Sequence, residues 1–179
     1  VHAQLYNAAG GVVGTGFVMV PVRDQPISGL RVVALEGGRF VAMWAEDTDD
    51  EDQGLDVNGQ LFSAAGVPIG DVFSVTTRTE DDERDFVITA LEGGGFAVAF
   101  VTGPGYSTTS AAIFDNDGEM TKADFGVGGS SFFSAYAPQV VALDNGGFAM
   151  SWLDQLSGLR FARFDANGTR IGTEVQLGR

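Results

Sequence analysis

The residues with the plainest capacity for chemistry are carboxylates. The runs Glu46-Asp47-Thr48-Asp49-Asp50-Glu51-Asp52 and Glu80-Asp81-Asp82-Glu83-Arg84-Asp85 hold 11 of the chain's 24 acidic residues. Like charges this crowded repel unless solvent or cations relieve them. Calcium takes about six to eight oxygens in flexible geometry, which loop carboxylates can supply. Asp47, Asp49, Asp50, Glu51, Asp52, Asp81 and Asp82 are therefore the candidate cation cluster, with calcium the expected ion. The spacing is not that of an EF-hand, because the loop lacks the sixth-position glycine and the terminal glutamate. A solvated acidic loop that keeps the protein soluble is the competing reading.

Aromatic residues form the second group. Tyr106 follows Gly103-Pro104-Gly105, and Phe132, Phe133 and Tyr136 cluster further on. Aromatics on loops stack on sugar rings or anchor protein partners, so these four are candidate ligand-binding residues. The competing reading is that they cover a junction between sheets. Nucleophilic chemistry is poorly represented. The chain has no cysteine, and its one histidine, His2, lies near a terminus expected to fray. No Gly-x-Ser-x-Gly, phosphate loop or histidine-rich metal motif is present. Paired carboxylates can hydrolyse glycosides, but here they stand in runs rather than as two isolated groups. The expectation is that the chain is not an enzyme.

The elements that must position these residues come from an internal repeat. Val32-Val33-Ala34-Leu35-Glu36-Gly37-Gly38-Arg39-Phe40, Ile88-Thr89-Ala90-Leu91-Glu92-Gly93-Gly94-Gly95-Phe96 and Val140-Val141-Ala142-Leu143-Asp144-Asn145-Gly146-Gly147-Phe148 align without gaps. A second motif follows each: Gln60-Leu61-Phe62 to Gly66, Ala112-Ile113-Phe114 to Gly118, and Ala162-Arg163-Phe164 to Gly168. A fourth copy of that motif, Gln4-Leu5-Tyr6 to Gly10, opens the chain. Each unit reads as four short strands joined by glycine and Asp/Asn turns. Phe40, Ala42 and Trp44 alternate, which puts them on one face of a strand.

A four-stranded antiparallel unit recurring at this period is the mark of a propeller blade. The fold expected is all-β: a β-propeller-like array of four-stranded blades, three full blades plus a half-blade. The boundaries expected are 1–22 for the half-blade and 28–77, 84–128 and 136–179 for the blades. A β-sandwich, a prism or a solenoid are the competitors. Three and a half blades leave sheet edges and faces uncovered. Another copy of the chain, or another chain, is expected to complete the propeller. The start at Val1 reads as a processed or excised piece of something longer.

Net charge is −14, which argues against nucleic acid or an anionic membrane as partner. No apolar run reaches transmembrane length. The stretch Pro138-Gln139-Val140-Val141-Ala142-Leu143-Asp144-Asn145-Gly146-Gly147-Phe148-Ala149-Met150-Ser151-Trp152, with Phe161-Ala162-Arg163-Phe164-Asp165-Ala166-Asn167-Gly168, resembles the repeats of large secreted bacterial RTX-type and cadherin-like calcium-associated adhesins and exoproteins. That resemblance implies a secreted or cell-surface bacterial module. The function expected is non-catalytic, calcium-assisted binding or scaffolding, with a glycan or protein ligand. The alternatives are a glycan-binding lectin or adhesin, and the accessory propeller of a glycan-active secreted enzyme.

Overall fold

The structure, a computed structural model, describes residues 1–21, 26–47, 54–77, 83–103, 107–128 and 134–178. Its described strands form four antiparallel sheets. A two-stranded sheet pairs β1 (His2–Tyr6) with β2 (Val12–Val18). The first blade is β3 (Ile27–Ala34), β4 (Phe40–Asp47), β5 (Leu55–Phe62) and β6 (Pro68–Ser74). The second is β7 (Glu83–Ala90), β8 (Phe96–Thr102), β9 (Thr108–Phe114) and β10 (Met120–Gly128). The third is β11 (Ala135–Ala142), β12 (Phe148–Asp154), β13 (Gly158–Phe164) and β14 (Arg170–Gln176). Each sheet is a meander, with neighbours in space also neighbours in sequence. The propeller-like array of three blades and a half-blade is thus the fold.

The turns explain why the repeat folds the same way each time. Asp115 Oδ1 accepts hydrogen bonds from the N–H groups of Asp117 and Glu119, both at 2.9 Å. Asp165 Oδ1 does the same for Asn167 and Thr169, at 2.9 and 2.8 Å. Asn7 and Ser63 fill this role in the half-blade and the first blade. A short side-chain acceptor closing a turn on itself is what these residue types do best. These turn aspartates are structural.

Alternation along the second strand of each blade makes both of its faces apolar. Phe40, Ala42 and Trp44 face the half-blade, joining Leu5, Phe17 and Met19 in one core. Val41, Met43 and Ala45 face the second blade, meeting Phe96, Val98 and Phe100. Ala97 and Ala99 then face the third blade and pack with Phe148, Met150 and Trp152. Within each blade two phenylalanines stack across the second and third strands. These are Phe40–Phe62, Phe96–Phe114 and Phe148–Phe164, with centroids 5.1, 4.9 and 5.1 Å apart. A ring from the preceding sheet tilts onto each stack: Phe17, Phe73 and Phe125 lie 5.7, 5.3 and 5.9 Å from Phe62, Phe114 and Phe164.

Among the first strands of the blades, β7 contacts both β3 and β11. The first strands all start at one end of the array, where the second strands finish. His2 does not fray: it pairs with Val18, and the Val1 ammonium donates to the Val20 carbonyl at 2.8 Å. No helix among the described residues is long and apolar enough to cross a membrane.

Candidate functional site

One end of the blades is where the second strands finish and the first strands start. Asp47 closes β4 opposite Leu55, and Tyr136 is the second residue of β11. Both sit at this end and both are exposed. Asp49, Asp50, Glu51, Asp52, Asp81, Asp82, Tyr106, Phe132 and Phe133 lie outside the described residues. Among the described residues no group of three or more His, Cys, Asp or Glu side chains is placed to hold a metal.

Three other carboxyls meet at the junction of the first two blades. Glu46 on β4 stands directly opposite Asp56 on β5. Asp56 interacts across the blade junction with Glu83, the first residue of β7. Glu83 has no exposed surface. Burial pushes the Asp56 carboxyl above its ordinary value, with the Glu46 charge adding to the rise and the Glu83 hydrogen bond opposing it. Glu46 is fixed in turn by Trp44, whose indole N–H donates to Oε2 at 3.2 Å.

A cavity of about 260 Å³ opens between β3 and β7, and neither Asp56 nor Glu83 is among its lining residues. Leu55 and Asp85, the near neighbours of Asp56 and Glu83, line it, together with Arg31 and Phe86. The Arg31 guanidinium lies 5.8 Å over the Phe86 ring. Its Nη1 also donates to the Leu30 carbonyl at 3.1 Å, which holds the charge in place.

A repeated backbone irregularity shapes the cavity wall. The register of β3 with β4 breaks between Ser28 and Arg31, that of β7 with β8 between Arg84 and Val87, and that of β11 with β12 between Tyr136 and Gln139. The third residue of each blade's first strand is left-handed: Gly29 at φ 63°, Asp85 at 51° and Ala137 at 51°. Such bulges re-aim side chains, and a non-glycine residue held there stores about 1–3 kcal/mol of strain. Here the bulge turns Asp85 to the cavity. Gly29 must stay glycine for a second reason, since a Cβ there would lie 2.9 Å from Phe86 Cε1.

The third blade carries a different polar group at the same end. Asp154 accepts from the Ser157 hydroxyl at 2.5 Å and from the N–H groups of Leu156 and Ser157 at 3.0 and 2.9 Å. The Ser157 hydroxyl foremost holds the Asp154 carboxyl below the usual range, with the backbone donors and Arg160 helping. This is a loop clasp built on Asp154 Oδ1, and Asp154 does not line the cavity of the first junction.

Sequence reasoning passed over Asp56 and treated Glu46, Glu83 and Asp85 as members of runs. The signal available was the position of Glu83 and Asp85 at the start of a blade's first strand. The contact between β5 and β7 that brings Asp56 to Glu83 is non-local and leaves no spacing in the sequence.

No family model matches the chain, and no curated protein does. Solved structures do. A protein of Bifidobacterium bifidum s17 assigned as an exo-β-1,3-galactanase superposes on 93% of this chain with a TM-score of 0.52 and 14% identity. A GH43 β-1,3-galactosidase solved with galactodeoxynojirimycin superposes on 98% with a TM-score of 0.50 and 8% identity. The chain spans 54% of the first and 65% of the second, between half and two-thirds of their lengths. At this identity the likeness establishes the fold. It also corrects two expectations drawn from the sequence, that the chain is not an enzyme and that it is a non-catalytic binding or scaffold module. The first rested on the absence of nucleophile and metal motifs and on carboxylates standing in runs, the second on the repeat and its family resemblance, and the proteins that share this architecture are described as glycosidases.

Proposed function

We propose that this chain forms part of the propeller of a secreted bacterial glycoside hydrolase, with a glycan bound in the cavity between the first two blades. The observation that carries this reading is a cavity between β3 and β7 lined by Arg31, Asp85 and Phe86. Glycoside hydrolysis asks for two carboxyls in different protonation states, one donating a proton to the leaving oxygen and one acting as base or nucleophile. Asp85, exposed and lining the cavity, supplies one of these carboxyls. Phe86 offers apolar surface to a sugar ring, and Arg31 offers donors to its hydroxyls. The glycosidase neighbours support the reading as analogy of fold. Galactans are the first substrates to try, since both neighbours are described by galactosyl-releasing activities.

The test is reducing-sugar release from β-1,3-galactan, other galactans and arabinan by the purified chain and by Asp85→Asn. The reading expects release by the wild type and a loss of about 10²–10⁴-fold in the variant. It expects glycan binding by calorimetry to survive the substitution. Release that is equal in both proteins places the chemistry elsewhere. Neither release nor binding with any glycan removes the reading.

A further inference from the structure

Among the described residues, two charged side chains of opposite sign line the cavity between β3 and β7, Arg31 and Asp85. Arg31 is fixed at one corner only. Its Nη1 donates to the Leu30 carbonyl at 3.1 Å and to the Gly29 carbonyl at 3.4 Å. Its Cζ lies 5.8 Å over the ring of Phe86, which is 3% exposed and so a firm support. Nε and Nη2 make no hydrogen bond or ion pair with any described residue. Three other arginines differ in this. Arg39, Arg160 and Arg170 each pair with a carboxylate, at 3.0, 2.7 and 3.3 Å. In a chain of net charge −14, the cavity guanidinium meets no carboxylate of its own molecule among the described residues.

The bulge in β3 builds the holder. It brings the carbonyls of Gly29 and Leu30 to Nη1. It also leaves room for the Phe86 ring, since a Cβ at Gly29 would lie 2.9 Å from Cε1. The repeat does not ask for the guanidinium itself. Arg31, Val87 and Gln139 stand where pairing resumes after the bulge, opposite Met43, Ala99 and Ser151. An arginine, a valine and a glutamine thus fill one position of one architecture, and the arginine belongs to the first junction alone. Its chemistry narrows the ligand. The Nε–Nη2 edge presents two parallel N–H donors, a fork that matches a carboxylate bidentately. A single hydroxyl oxygen does not span that fork.

We infer that the sugar ring taken by this cavity is a uronic acid, its C6 carboxylate received by the Nε–Nη2 edge of Arg31. This rests on the glycan site proposed above and names its substrate class. Arg31 is then a specificity-determining residue. Asp85 repels a carboxylate from its own side, so the two charges orient the ring. The carboxylate faces Arg31, and the uncharged glycosidic side faces Asp85.

Four ligands that differ only at C6 test this by NMR titration of the whole chain. They are methyl β-galacturonoside, its methyl ester, methyl β-galactoside and methyl β-galactoside 6-sulfate. The inference expects the wild type to bind the free acid about 10–100-fold more tightly than the ester, as charge-assisted hydrogen bonds allow. Arg31→Gln places the residue of the third blade at the same position, and it should bring that ratio close to unity. Arg31→Lys keeps the charge without the fork and should retain only part of the ratio. The acid-to-ester comparison on the wild type needs no variant, so it stands even if a substitution disturbs folding. Equal binding of acid and ester overturns the inference, and so does tighter binding of the sulfate than of the acid. Silence of all four ligands overturns it whatever the galactan-release assay shows. A strong acid preference in a chain that releases no sugar from any glycan upholds the inference and removes the hydrolase reading. Galactan release without acid preference does the reverse.

Discussion

Gly59 and Phe73 form a pair whose coupling tests the stacking of blades in numbers. Gly59 is a buried position in the middle of β5, and a Cβ there would lie 2.5 Å from Phe73 Cζ and 2.6 Å from Cε2. Phe73 is the ring that tilts onto Phe114, at 5.3 Å between centroids. In Gly59→Ala the ring must leave its place on the stack, because the methyl meets three atoms at the far edge of a rigid ring, Cζ, Cε2 and Cε1. Overpacking of this kind costs about 1–3 kcal/mol. For a chain of this length each kcal/mol moves Tm by roughly 2–4 °C, so a fall of about 3–10 °C is expected. Phe73→Ala alone is expected to cost about 2–4 kcal/mol, somewhat under a fully buried phenylalanine because this ring is half-buried. In the Phe73→Ala background the alanine at 59 meets no ring and partly fills the space. Its cost should vanish or change sign, giving a coupling of about 1–3 kcal/mol in a double-mutant cycle. Urea denaturation of the four proteins measures this. If Gly59→Ala costs the same with and without Phe73, the ring does not sit over the glycine and the junction is packed differently.

Three further outcomes follow from the site and the turns. Asp56 has its carboxyl raised in the folded protein, so its protonated form fits the fold best. That contribution is full below the unfolded value near 3.8 and is lost as pH rises through the folded value. Asp56→Asn should therefore be more stable than wild type at pH 7, with the gap closing on acidification toward the unfolded value, as read by urea melts across pH. Ser157→Ala removes the leading cause of the depressed Asp154 carboxyl, and a carboxyl-resolved NMR titration should show its midpoint move up toward 3.8. Asp115→Ala should cost about 1–2 kcal/mol through the two N–H groups it leaves unclosed, while Asp115→Asn should cost little. Asn7 already closes the same turn in the half-blade, and thermal melts of both variants check the contrast.

Much of the fold was legible because the repeat is written in turn chemistry and in aromatic positions. Glycine clusters and Asp or Asn acceptors have few conformations open to them, and the alternation Phe40, Ala42, Trp44 leaves one face for each residue. The last strands were less legible. A start near Val72 is what side-chain propensity suggests, whereas β6 begins at Pro68, paired with Phe62. Gly70, at φ 67°, and the register shift between Gly59 and Leu61 carry the pairing through residues that do not look like a strand. The site was the least legible part. Asp56 has a single acidic neighbour across the sheet and nothing in its own stretch to mark it. Its partner Glu83 is 27 positions along the chain in another blade. Function was misread for a related reason, since strand-and-turn grammar is common to scaffolds and to enzymes built on the same sheets.

The most direct test of the proposed site is a crystal structure of the Asp85→Asn chain soaked with a β-1,3-linked galacto-oligosaccharide. The account predicts a sugar ring in the cavity between β3 and β7, packed on Phe86, within hydrogen-bond reach of Arg31 and with a glycosidic oxygen facing residue 85. An oligosaccharide bound at another junction with this cavity filled only by solvent would contradict it.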